Sequence, residues 1–466
     1  MKDTAKTDTA NTTAPAPAVR RPSQSGLELS LRPGWKGVFP VAVVLALGGW
    51  MAYQTARIAF ASAPLDSISI LDVKAGLAHD PANSALLHHL GLLYASSPID
   101  LDLNEAQKYL HQAVAMEPRH WDYWADLATT CDTVGDTACA DAAFAKSRAL
   151  NPHFPRLAWV IGNHYILTDR LDKAFPYFRQ LLEEQPQYQG PTFRLCLRAA
   201  GDPNQVYAQV IPQGLDPSVR FAFLNFLCVS GDVPNAMRIW AKMIAGPDRA
   251  VEASAAKSFL DFLINHNQIH EALTVWSDLT RMGSIPREEN PDPRNLFYNA
   301  EFKLQPFNLG FDWRYSEGED LLYDFADMSA PGGGHCLRIE FPIGRDADYD
   351  LLGQLVPVKP NTKYQLTAMI RSEGLTSNSG PRFRVVFWGC ADCSVPTSDQ
   401  TLGTTHWHPE EVTFFSPPGI QAVRISLWRP LGRLGSQDIT GTIWVDQVRL
   451  RLAEPARSRA ARFREQ

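Results

Sequence analysis

The chain has no large excess of charge of one sign, and no basic stripe runs through its central part. Its 466 residues carry 44 Lys and Arg against 50 Asp and Glu, a formal net charge of -6. In that central part the cations are dispersed, which argues against nucleic acid as a partner. Catalytic signatures readable from spacing are missing too: there is no nucleophile elbow, phosphate-binding glycine loop or metalloprotease helix motif. The Pro331 to Gly334 run lacks the Lys-Ser/Thr that a phosphate loop needs and reads as a turn. Large apolar side chains are scarce in residues 1–36, where Thr, Ala and Pro dominate Thr4 to Pro17, so this segment is expected to be a disordered tail. At 45% apolar and 20% charged the remainder is ordinary globular sequence, long enough for two or three structural units.

From Gly37 to Ala56 charge is absent altogether. These 20 residues, at about 1.5 Å each, match the ~30 Å hydrocarbon core of a bilayer. Lys36 and Arg57 bracket the run, no amphipathic period divides it, and Trp35, Trp50 and Tyr53 supply interfacial aromatics. A transmembrane helix is predicted over 37–58. Lys2, Lys6, Arg20, Arg21, Arg32 and Lys36 precede it, whereas Arg57 and Lys74 are the only Lys or Arg residues between Arg57 and Asp80. This bias places the N-terminus in the cytoplasm and the body outside, an arrangement suited to a bacterial inner membrane with a periplasmic body. A cleaved signal peptide ending at Ala61-Ser62-Ala63 is the rival; Pro64 and the length of the apolar run favour an uncleaved anchor.

Three prolines, Pro118, Pro152 and Pro186, are spaced by 34 residues. Twelve positions before each stands Ala106, Ala140 or Ala174, and eight before each stands Leu110, Phe144 or Phe178. The preceding helix repeats Leu90-Gly91 with Tyr94, Leu127-Ala128 with Cys131, and Ile161-Gly162 with Tyr165, a small residue where two helices must approach closely. This pattern resembles the tetratricopeptide repeat family, and implies an α-helical solenoid that binds a peptide or protein partner. The repeats are assigned to 66–286 and are clearest over 82–186. An incomplete unit ends at Pro81, extra residues around Ser97 to Asp100 lengthen one turn, and two degenerate units follow at Ala236 with Trp240 and Ala272 with Trp276.

Among the seven cysteines, Cys131 and Cys139 flank a turn within one repeat, and Cys390 and Cys393 share a loop. Each pair is a candidate disulfide; free thiols are the alternative, and the second pair with His406 and His408 raises zinc as a third.

After a polar, proline-broken linker at 287–293 the period becomes two. Leu337, Ile339 and Phe341 alternate with polar neighbours, as do Tyr364 to Ile370, Phe383 to Phe387 and Val423 to Leu427, which predicts a β-sandwich over 294–452. The order of Asn299-Ala300-Glu301-Phe302, Val356-Pro357-Val358-Lys359-Pro360, Tyr364 to Ala368, Trp407 before Val412-Thr413-Phe414, and Gly441 to Val448 resembles carbohydrate-binding modules of the family 4 and 9 type, a galactose-binding-like jelly roll. The resemblance implies a saccharide ligand and, in related domains, a structural calcium for which Glu301 and Asp446 occupy the matching acidic positions.

With the aliphatic face of each strand inward, Trp388, Trp428, Arg384, Arg424, Arg338 and Glu340 point outward and are the candidate glycan-binding residues. The alternative for the same face is that a helix, a loop or the repeat domain covers it, with the tryptophans packed and the arginines paired to acids, or that it is a protein interface. Trp444 shares strand parity with Val448 and Leu450 and is expected to be structural rather than ligand-facing. Glu317, Glu319, Asp320, Asp346, Asp348 and Asp350 are the acids from which a glycosidase pair would have to come, but they read as solvated loop charge. Residues 453–466, with Arg457, Arg459, Arg462 and Arg464, are expected to form a disordered basic tail.

The expected protein is multidomain: a single N-terminal transmembrane helix, an α-helical repeat solenoid and an all-β jelly-roll sandwich. It is expected to bind rather than catalyse, as an extracytoplasmic scaffold for envelope or exopolysaccharide assembly, export or attachment. A scaffold for proteins alone, or a jelly-roll hydrolase, are the alternatives.

Overall fold

A computed structural model describes residues 35–214, 217–245, 251–287, 292–432 and 438–453. The expected tails lie outside the described residues, apart from their innermost positions, as does the middle of the expected linker. Among the described residues fourteen α-helices precede eight β-strands. The chain divides into two compact units, one ending at Asn151 and one beginning at Pro152.

The first unit begins with α1 (Trp35–Ser62), a 28-residue helix long and apolar enough to cross a membrane by length and composition. Its apolar side chains, Leu45, Leu47 and Trp50 among them, are exposed. Then come α2 (Ile70–His79), α3 (Ser84–Ser96), α4 (Leu103–Met116), α5 (Trp121–Val134) and α6 (Thr137–Leu150), with α3 packed on α4 and α5 on α6. The small-large code is visible as contact. A Cβ on Gly91 would stand 2.6 Å from Leu110 Cγ, so only glycine lets α3 and α4 close to this distance. Asp102 and Asp136 cap α4 and α6 through their carboxylates.

The periodic prolines act through the residue before them. Asp80, Glu117 and Asn151 have non-helical backbones, with φ of -140°, -127° and -138°, as a following proline ring requires. Each helix therefore ends at a set place, and the repeat period follows.

The second unit continues with α7 (Pro155–Leu167), α8 (Leu171–Glu184), α9 (Gln189–Ala200), α10 (Pro203–Gln209), α11 (Ser218–Val229), α12 (Val233–Ala245), α13 (Ala253–Asn265) and α14 (Ile269–Met282). Gly162 on α7 repeats the tight approach, with Phe178 Cζ at 2.6 Å from where its Cβ would be. Where two degenerate units were expected after Pro186, three helix pairs follow. The additional pair is α9–α10; α10 has only 7 residues, too few for a helical period to show in sequence, and reaches the core through Val206 and Tyr207. Trp240 is buried and donates its indole N–H to the Asp278 carboxylate on α14 at 2.9 Å, which ties the last two pairs together.

The strands are β1 (Leu322–Asp327), β2 (Cys336–Arg345), β3 (Tyr349–Pro357), β4 (Lys363–Leu375), β5 (Arg382–Phe387), β6 (Gly403–Phe415), β7 (Ala422–Arg429) and β8 (Ile439–Leu452). They form two antiparallel sheets, ordered β1-β2-β8-β4-β6 and β3-β7-β5. The residues expected inside, such as Leu337, Ile339, Leu366, Ile370, Phe383, Val385, Ile425 and Leu427, fill the core between them. Full burial of each contributes about 1.5–3 kcal/mol.

The last helices and the sandwich share one compact unit, so the boundary in compactness falls at Asn151 and not at the linker. The helical core runs on into Leu309, Phe311, Leu355 and Ala422. Trp276 meets Tyr298 and Phe311 edge-on, at centroid distances of 5.5 and 5.9 Å. Arg314 bonds Asp261 on α13 at 2.5 Å, and the Tyr298 hydroxyl donates to the Pro286 carbonyl at 2.9 Å.

Candidate functional site

The six candidate glycan residues do not share one surface. Arg384, Arg424 and Trp428 lie on the three-stranded sheet, whereas Arg338 and Glu340 lie on β2 of the five-stranded sheet. A common parity within each strand does not say which sheet a strand joins. Trp388 follows β5 and packs against the helical core, with its indole N–H donating 2.9 Å to the Ile264 carbonyl at the end of α13. Its role here is to join helices to sandwich, so it is removed from the candidate groove.

Beyond that junction the outer face of the three-stranded sheet is polar and self-paired. Arg384 stacks on Trp428 at 4.7 Å, and Asp350 holds Arg424 at 2.7 Å and Arg384 at 3.3 Å. The Trp428 N–H donates to Asp348 at 2.7 Å. Close by, fully buried Arg429 donates to Asp346 at 2.5 Å and to the Ala347 carbonyl at 2.7 Å. A hydrogen bond from the Gly432 N–H, then Arg429, holds the Asp346 carboxyl below the usual range. Asp320 is bound by Arg345 at 2.5 Å. Four of the acids considered for hydrolysis, Asp320, Asp346, Asp348 and Asp350, are thus engaged as acceptors.

The outer face of the five-stranded sheet is organised differently. Arg338, Trp444 and Arg371 stand abreast on β2, β8 and β4, and Glu340, Thr442 and Glu373 form the next row. Arg371 lies over the Trp444 ring at 4.3 Å and pairs with Glu373 at 3.2 Å; Arg338 pairs with Glu340. The Trp444 indole donates to Asp327 at 3.1 Å and the Trp407 indole to the Ser329 carbonyl at 3.1 Å, so both tryptophans are pinned to the β1–β2 connection. The result is an array of planar groups with alternating charge, able to make directional bonds to hydroxyls.

Strand parity misplaced Trp444. A register shift in β8 between the pairs Thr367–Arg449 and Met369–Asp446, with Gln447 at φ 51°, inserts an extra residue and reverses the faces. Val448 and Leu450 stay inside while Trp444 lies on the outer face, where Arg371 and Asp327 cover it and leave it 7% exposed, so it keeps the structural role expected of it. Arg371 itself was legible, since it alternates with Ile370; Glu373 and Trp407 were not connected to it by any short-range signal.

Glu301 and Asp446 come close enough to influence each other. Asp446 is 3% exposed, and its Oδ1 has no hydrogen-bond partner among the described residues. Burial, then the Glu301 charge, pushes its carboxyl up to about 6. Glu301 is bound by Lys303 at 2.7 Å. A buried carboxylate oxygen without a donor suits a calcium ion; Asp446 and Glu301 would hold it, and its charge would satisfy the Asp446 oxygen that nothing else does.

Both candidate cysteine pairs, Cys131–Cys139 and Cys390–Cys393, are bridged. The bridge leaves Cys390 and Cys393 no thiolate for zinc, and His408 pairs instead with Glu410 at 3.4 Å. His111 Nε2 stands 3.9 Å from Cys139 Sγ.

No family model matches the chain, and no curated protein does. Among solved structures, the crystal structure of MamA is 18% identical, covering 38% of this chain and 85% of its own, with a TM-score of 0.27. A CBM4 structure is 14% identical, covering 34% of this chain and 99% of its own, with a TM-score of 0.25. The structure of TmCBM61 in complex with beta-1,4-galactotriose is 17% identical, covering 34% and 99%, with a TM-score of 0.26.

Proposed function

We propose that the chain is a membrane-anchored, non-catalytic binding scaffold of the cell envelope whose β-sandwich holds a saccharide on the outer face of its five-stranded sheet. The observation that carries this reading is the pair of in-register rows, Arg338–Trp444–Arg371 and Glu340–Thr442–Glu373. Guanidinium and carboxylate planes at strand spacing suit the donors and acceptors of successive hydroxyls, with Trp407 at the margin to cover a ring face. The helix pairs offer surface to a protein partner. The helix α1 anchors the chain, with the N-terminus cytoplasmic and the body periplasmic or extracellular, and the combination serves assembly, export or attachment of an exopolysaccharide.

Glycan arrays and envelope polysaccharides probed with the full chain in detergent test this. Arg371→Ala and Glu373→Ala each remove a charge-assisted bond of about 1.5–3 kcal/mol, a loss of roughly 10–100-fold in affinity, while Trp428→Ala leaves binding intact. No binding by the parent chain to any saccharide would overturn the reading. The second reading, a scaffold for proteins alone, draws on Trp388 and Ala422, which show that a face of this sandwich already serves as a helix-binding surface. Blank arrays with a stable protein captured from membranes would favour it.

A further inference from the structure

Within the second unit a cavity of about 1070 Å³ lies between α14 and the end of the sandwich where β3 closes and β4 begins. It is at the upper end of the ~300–1,000 Å³ usual for ligand pockets. Ile269 and Leu273 of α14, with Leu296, Val358 and Leu452 from the sandwich, give it aliphatic walls. Arg294, Lys359, Lys363 and Arg451 place four cations around it, with His270 beside them, and no carboxylate lines it among the described residues. Asp292, outside the lining, pairs with both Arg451 and Arg294, the latter at 3.9 Å. Lys359 and Lys363 make no ion pair among the described residues, and both are exposed.

We propose that this cavity binds an anionic amphiphile, a phosphate-headed molecule with an alkyl or isoprenoid body. Charge complementarity selects the head: the two lysines flank a single turn, Lys359 to Lys363, and present unneutralised ammonium groups at the rim. The walls select the body. Leu, Ile and Val side chains offer no flat aromatic platform for a sugar ring, and Tyr364, the one Phe, Tyr or Trp lining it among the described residues, is buried with its hydroxyl accepting the Lys359 N–H at 2.8 Å. Leu296 and Leu452 are 39% and 61% exposed at the mouth, an apolar surface that an alkyl chain would cover. This site is separate from the saccharide face and stands whether or not that face binds.

The test is photo-crosslinking of the full chain, held in phosphatidylcholine nanodiscs, with a diazirine-bearing dodecyl phosphate. Labelling is expected at 269–273, 357–365 or 451–453. Unlabelled dodecyl phosphate should displace it at least about tenfold better than dodecyl maltoside or inorganic phosphate, and Lys359→Glu with Lys363→Glu should weaken it by about tenfold or more. Both lysines are exposed, so the variant keeps the fold. Labelling confined to other segments, or equal displacement by the neutral-headed detergent, overturns the proposal. Equal displacement by inorganic phosphate reduces the site to simple anion binding and also overturns it, as does a charge-reversed variant that labels like the parent.

Discussion

Asp446 should make the sandwich less stable at neutral pH than in weak acid. Its carboxyl is 3% exposed and lifted to about 6 from an ordinary 3.8, by burial first and then by Glu301. The native state therefore holds this proton more tightly than the unfolded chain does. The penalty is absent below 3.8, grows as pH rises towards 6 and is complete above it. At ~1.36 kcal/mol per pH unit the gap corresponds to about 3 kcal/mol. Asp446→Asn keeps the shape and removes the ionisation, so in a chelator it should stabilise the sandwich by up to about 3 kcal/mol at pH 7.5 and by little at pH 4. Hydrogen exchange of β8 in variant and parent, compared at each pH, isolates this group from the other titrations. Calcium should then raise the protection of the parent at pH 7.5 and leave Asp446→Asn unchanged, because the cation would supply the partner that Asp446 Oδ1 lacks. Equal effects of the substitution at both pH values, or a loss of protection at pH 7.5 in chelator, would refute the reasoning.

Gly162→Ala gains about 1 kcal/mol of helix propensity but drives a methyl to 2.6 Å from Phe178 Cζ, an overpacking cost of about 1–3 kcal/mol; the net effect in thermal unfolding should be destabilising, with Phe178→Leu restoring stability in the double variant. Arg429→Met removes the donor to Asp346 and to the Ala347 carbonyl and should lower the midpoint of chemical denaturation. The Asp346 part of that loss should shrink as pH falls through its depressed native pKa, since the parent loses the ionised partner there.

Much of the fold is written locally. Pro118 and Pro152 expel the preceding residue from the helical region, and Gly91 and Gly162 sit where a side chain would collide. These are consequences of covalent geometry and of a single contact, so a period in sequence becomes a period in space. The inward faces of β2, β4, β5 and β7 are equally local, because alternation needs only the pleat. The short α10 left too few residues for a period to register.

The site was less legible for a different reason. Outward parity on Arg338, Arg384 and Trp428 is a property of each strand alone, whereas membership of a sheet is a property of pairing between residues up to about a hundred positions apart. Only tertiary structure sent β2 to one sheet and β5 and β7 to the other, closed α13 over Trp388, and let one inserted residue at Gln447 turn Trp444 outward to Arg371. The sequence by itself determined where helices stop, which side chains face a core and where an apolar run could meet a bilayer, since each depends on neighbours a few residues away. Which polar side chains stand together was decided by long-range pairing, and no local pattern encodes it.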